Sequence, residues 1–163
     1  TGGVLSLNFR ALTALFGHAG LEWDITEATT EERTQLAEWA SYYKAHRELL
    51  HSGKVVRVDQ PDESIWLHGV VSLDEKEALF AYLAMDTLSG STAPRFTIPG
   101  LDPATTYLVK GAFPTGVPAH AHNALPSWVT DGALVNGSML ESVGLPAPVI
   151  APESGFVIEL KAV

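Results

Sequence analysis

Two acidic side chains two positions apart, Glu22 and Asp24, are the first candidates for chemistry in this sequence. They alternate with Leu21, Trp23 and Ile25, which is the period of a short strand. Residues i and i+2 of a strand share a face, with Cα atoms about 6.6 Å apart. A nucleophile and a general acid that cooperate in a double displacement need their carboxyl groups roughly 5–5.5 Å apart, so the pair lies within reach of that work. The plainer alternative is that both carboxylates bond to backbone amides, adjacent strands or arginines. His120 and His122 lie on one loop and could hold a metal, since imidazole is a common ligand. With no third ligand in view, exposed or hydrogen-bonded histidines are the expectation. His18, His46, His51 and His68 are scattered without ligand spacing, and no metal site is expected at any of them.

The elements around the acidic pair are legible. Leu5, Phe9, Leu12 and Phe16 give residues 5–16 one apolar helical face, with Ser6 or Asn8 as the cap and Gly17 to Gly20 as the stop. After the strand Leu21 to Ile25, Thr29 and Glu32 form a capping-box pattern. The helix that it opens runs through Leu36, Trp39, Tyr43 and Leu50 to Ser52-Gly53. Beyond Gly53 the texture changes to short β-branched runs between turn signals. Lys54 to Asp59, Ser64 to Ser72, Arg95 to Pro99, Tyr107 to Gly111 and Gly155 to Lys161 read as strands. Glu77 to Asp86 suits a helix by composition and a buried strand by its turn-bounded length. Pro114 to Ser127 reads as a loop. Leu101-Asp102-Pro103 followed by Tyr107 suggests a sandwich corner, with the phenol bonded back to upstream backbone. The fold class is therefore α+β: a helix–strand–helix arm over residues 1–52, then an antiparallel β-sandwich over residues 53–163.

Composition sets bounds on function. With 163 residues, a net charge of -9 and six histidines scattered among few bases, the chain lacks the clustered Lys and Arg of a nucleic-acid or anionic-membrane surface. There is no cysteine, hence neither disulfide framework nor thiolate chemistry. No apolar run is long enough to span a bilayer and the N-terminus lacks a basic signal region, so a cytoplasmic protein is expected.

The stretch Phe16-Gly17-His18-Ala19-Gly20-Leu21-Glu22-Trp23-Asp24-Ile25-Thr26 resembles glycoside hydrolase family 36, the microbial α-galactosidases. Thr1-Gly2 is similar to a family segment that follows the catalytic acid, with Gly3 where the family carries Arg. Trp39 to Gly53 resembles the last helix of the family's barrel. Leu101-Asp102-Pro103 to Tyr107 and Ser138 to Val163 resemble its C-terminal β-domain. The resemblance implies a parent with an N-terminal β-supersandwich, a (β/α)₈ barrel and a C-terminal β-sandwich, acting on α-galactosides such as melibiose and raffinose with no metal or organic cofactor. The arm would then be a remnant of the TIM barrel. The family's catalytic pair, two Asp on earlier barrel strands, has no counterpart here, so no catalytic residue is assigned. Asp24 is left as a candidate second-sphere support. The implied partners are the remainder of the enzyme and, through it, the substrate.

Tryptophans often stack on sugars, and four are present. Trp23 and Trp39 occupy apolar positions of regular patterns and read as core. Trp66, between Ile65 and Leu67, fits either face. Trp128, near Pro126, is the candidate sugar platform, or else a cover for the sandwich. Asn136-Gly137-Ser138 matches a glycosylation sequon, but Asn-Gly is first a turn signal. A carbohydrate-binding or assembly module without activity is the rival function. An isolated barrel strand leaves its edges and apolar side chains uncovered, so the arm is expected to dock on the sandwich or to pair with a second copy.

Overall fold

The computed structural model describes residues 5–87, 94–118 and 125–163. The chain opens with helix α1 (Leu7–Ala14), capped by Ser6, whose Oγ accepts from the Phe9 amide at 3.2 Å. Asn8, the alternative cap, serves elsewhere. Its Oδ1 accepts from Trp39 Nε1 at 3.0 Å and also from the Thr115 hydroxyl, tying three segments together. Helix α2 (Thr30–Ser52) starts at the expected capping box: the Thr29 amide donates to Glu32 Oε2 at 2.7 Å and the Glu32 amide to Thr29 Oγ1 at 3.2 Å. It ends at Gly53 and passes directly into β1 (Lys54–Val58).

The remaining strands are β2 (Ile65–Val71), β3 (Glu77–Ala84), β4 (Arg95–Phe96), β5 (Thr106–Ala112), β6 (Ala133–Asn136), β7 (Leu145–Pro146) and β8 (Ser154–Ala162). Six of them form one antiparallel sheet in the order β1-β2-β3-β8-β5-β6, and β4 pairs with β7 separately. The last strand is thus inserted between β3 and β5, where it holds both halves of the sheet. Two short helices, α3 (Ser127–Thr130) and α4 (Gly137–Ser142), flank β6. Asn136 caps α4 through Oδ1, which accepts from the Ser138 amide at 3.0 Å, so the Asn-Gly pair marks a strand-to-helix junction.

The middle of the large sheet is covered on both faces, and this explains the ambiguous stretch. Residues Glu77–Ala84 are a strand buried at every position after the first. One side of it, with Phe80 and Tyr82, joins Phe96, Tyr107, Trp128 and Phe156 in the main core. The other side, with Leu79, Ala81 and Leu83, meets Phe9, Leu12, Leu15, Trp39, Leu49 and Leu50 of the two helices. A strand covered on both sides loses its alternation and reads like a buried helix. The second layer of the sandwich is small: β4 and β7 contribute two residues each, and α3, α4 and connecting segments complete it. Tyr107 makes the expected corner. Its hydroxyl accepts from the Asp102 amide at 3.0 Å and donates to the Glu75 carbonyl at 2.6 Å.

Candidate functional site

The stretch Leu21 to Ile25 is not a strand, contrary to its alternating pattern. A strand needs partners for its backbone groups, and among the described residues no strand pairs with it. Asp24 instead organises a turn. Its Oδ1 accepts from the Thr26 amide at 2.9 Å and the Thr26 hydroxyl at 2.6 Å, and the Thr26 hydroxyl bond above all holds the carboxyl below its ordinary range. Glu22 and Asp24 are both exposed, and without a strand the shared-face basis for pairing them lapses. Trp23 is half-buried rather than core, while Leu21 and Ile25 are 61% and 52% exposed. The helices on either side did find cover: α1 and α2 dock on the sheet face as one core with Val70, Leu79 and Val157.

Trp128 is buried, and its indole N–H donates to the Pro146 carbonyl at 3.0 Å. Phe96 and Phe156 pack on it with ring centroids 5.8 Å and 6.2 Å away. It covers the core and offers no open face to a sugar. Trp39 is buried as expected. Trp66 is 56% exposed, on the sheet face that carries the helices.

Among the described residues, no three His, Cys, Asp or Glu side chains gather in a way that could hold a metal. His120 and His122 lie outside the described residues. His18 stacks on His51, whose Nε2 is 2.6 Å from the Tyr43 hydroxyl. His46 lies between α2 and the sheet, 3.8 Å from Glu159, and Glu159 also accepts from the Tyr42 hydroxyl at 2.6 Å. Burial raises the Tyr42 pKa, and the Glu159 carboxylate adds to the rise, so this link between α2 and β8 keeps its proton.

His68 meets the ring of Phe16 edge-on at 5.0 Å, and burial, helped by Arg57, lowers its pKa from 6.5. The unfolded chain therefore takes up a proton that the folded chain resists. Stability is held above pH 6.5 and falls as pH drops through that value toward the folded pKa. Thermal melts between about pH 7.5 and 5.5 are expected to show this loss, and His68→Gln to flatten it.

Two of the concave sites among the described residues bear on function, a third being a shallow groove between α2 and Pro114. One groove of about 370 Å³ lies on the arm, where Leu15, Leu21, Leu36, Trp39 and Tyr43 give it an apolar floor. The other, about 580 Å³, sits beside Trp66 at the β1–β2 edge and is lined also by Arg57, Asp59, Gln60, Glu63 and His68. The sequence pointed to neither as a cavity. The available signal at the second was the Ile65-Trp66-Leu67 alternation, which places Trp66 opposite two buried neighbours.

Among known families, the melibiase model matches residues 1–53 and the glycosyl hydrolase family 36 C-terminal domain matches residues 64–160. An α-galactosidase of Escherichia coli is 39% identical over 96% of this chain, which spans 23% of that protein. The crystal structure of an α-galactosidase from Lactobacillus brevis superposes on the whole chain with a TM-score of 0.79 at 25% identity, the chain covering 21% of it. A family 36 α-galactosidase structure from Geobacillus stearothermophilus gives 0.78 at 26% identity, with 20% of it covered. The chain thus spans about a fifth of the length of these three relatives. An arm matched by one model and a sheet domain matched by the next, joined in a shared core, make this chain a member of glycoside hydrolase family 36.

Proposed function

We propose that the chain is the C-terminal portion of an α-galactosidase that hydrolyses terminal α-galactosides, such as melibiose and raffinose, by a retaining double displacement. The observation that carries this reading is the succession of the two family matches across one continuous core. In that enzyme residues 1–52 close the barrel and residues 53–163 form the supporting C-terminal domain. The apolar groove on the arm receives earlier barrel elements, which also cover Leu21 and Ile25. The catalytic carboxylates come from those earlier elements, and the chain supplies none. Asp24, fixed by Thr26, supports the site from outside. The enzyme works in the cytoplasm without metal or organic cofactor.

The 163-residue chain is expected to show no turnover of a nitrophenyl α-galactoside. In the full-length enzyme, Asp24→Asn is expected to lower kcat/KM by about tenfold, or 1.4 kcal/mol of transition-state stabilisation. Turnover by the isolated chain, abolished by Glu22→Gln or Asp24→Asn, would overturn the reading and make that pair catalytic. A second reading, a carbohydrate-binding or assembly module, is favoured by one observation, the exposed indole of Trp66. Self-association belongs to it, through the exposed Leu21 and Ile25, and would appear as a concentration-dependent dimer in light scattering.

A further inference from the structure

Among the described residues, Trp66 is the one Phe, Tyr or Trp side chain that is exposed. The helices explain where cover stops. On the helix-bearing face of β2, Val70 is buried in their core and His68 is reached by Phe16, while Trp66, one further step along, is left open. The space beside it is not a bare apolar face. Asp59 and Glu63 offer acceptors, Arg57 offers donors, and His68 offers one of each while its imidazole is neutral. Gln60 lines the same cavity, and its Nε2 is buried with no hydrogen-bond partner. A buried amide donor left unpaired is costly, and a turn of the Gln60 side chain into the cavity would let a ligand oxygen satisfy it.

The cavity volume of about 580 Å³ falls within the range of small-molecule sites. Charges of both signs line it, which favours a neutral ligand over an anion or a cation. A ring with one apolar face and a rim of hydroxyls matches an indole floor with polar walls. We infer that the cavity beside Trp66 binds a neutral pyranoside, its apolar face on the indole and a hydroxyl oxygen accepting from Gln60 Nε2. The choice of an α-galactoside as the sugar rests on the function proposed above. The site itself rests on Trp66, Gln60 and the cavity.

Titration calorimetry of the 163-residue chain with melibiose is expected to give saturable binding in the millimolar range, with a change in tryptophan fluorescence. Trp66→Ala should weaken binding by at least about tenfold and Gln60→Leu several-fold, while Trp66→Tyr retains it. Matching melting temperatures would show that the variants fold. Absence of saturable heat, or unchanged affinity in folded Trp66→Ala, would overturn the site. Binding of sucrose with melibiose refused, still lost in Trp66→Ala, would uphold the site and count against the α-galactosidase reading from which the sugar was chosen. Loss of nitrophenyl-galactoside turnover in the full-length enzyme tests that reading alone.

Discussion

A chain beginning at Lys54 is expected to lose cooperative unfolding and to expose a dye-binding apolar surface. The texture of the sequence changes at Gly53, but the packing does not respect that boundary. Val70, Leu79, Leu83 and Val157 are each at most 2% exposed, and the side chains that cover them belong to α1 and α2. Fully burying one Val or Leu side chain is worth about 1.5–3 kcal/mol. Even at the lower figure, uncovering four such side chains costs about 6 kcal/mol, comparable with the roughly 5–15 kcal/mol that holds a whole domain. Ordering the arm costs entropy that the truncated chain is spared, yet the uncovered face also becomes a site for aggregation. Circular dichroism melts and dye fluorescence on the two chains decide the matter. A sharp transition with no dye binding in the truncated chain would mean that the main core is sufficient and that the arm is a separate unit of stability.

Gly144→Ala is expected to destabilise the chain by about 3–5 kcal/mol, among the largest effects of any single methyl group here. Gly144 follows the C-cap of α4 with φ +69, and its amide donates to the Met139 carbonyl at 2.9 Å. A Cβ at this position would stand 1.9 Å from the Phe96 carbonyl oxygen, which is backbone and cannot turn aside. The clash would prise β7 from β4 and reopen the smaller layer over Phe96, which is 1% exposed. Gly116 provides the control. Its φ is +104, yet no atom of the described residues lies within 4 Å of its would-be Cβ. Gly116→Ala should therefore carry only backbone strain, about 1–3 kcal/mol. Equal melting temperatures for the two variants would show that conformational strain, rather than the clash, sets the cost.

Much of this architecture was legible because its signals are local. The Thr29–Glu32 box needs only residues three apart, and the helix it opens followed from a period that one turn repeats. The corner at Tyr107 was readable for the same reason, since the Asp102 amide it binds is five residues away. The resemblance to family 36 likewise lay in contiguous motifs and fixed the family, while the change of texture at Gly53 had already fixed the α+β class. The alternation at Leu21 to Ile25 shows where local reading stops. Five residues can carry the pattern of a strand, but only neighbouring strands supply the hydrogen bonds, and here Asp24 turned the backbone toward Thr26 instead.

Cover is the other quantity that no short window contains. Glu77–Ala84 became a strand because helices from the start of the chain and a layer from its second half close on its two sides. Trp128, the sugar platform that the sequence suggested, and Trp66, which fitted either face, were separated by what packs over them. Phe156 and Pro146 close on the first, while the arm stops short of the second. The sequence by itself determined the two helices of the arm, the capping box, most strands and the family. The tertiary structure decided which apolar faces are covered, that the arm and the sheet share a core, and that a polar cavity stands open beside an indole. The physical reason is range: periodicity and caps act over a few residues, whereas burial depends on partners such as Val157, more than a hundred residues from the helices that cover it.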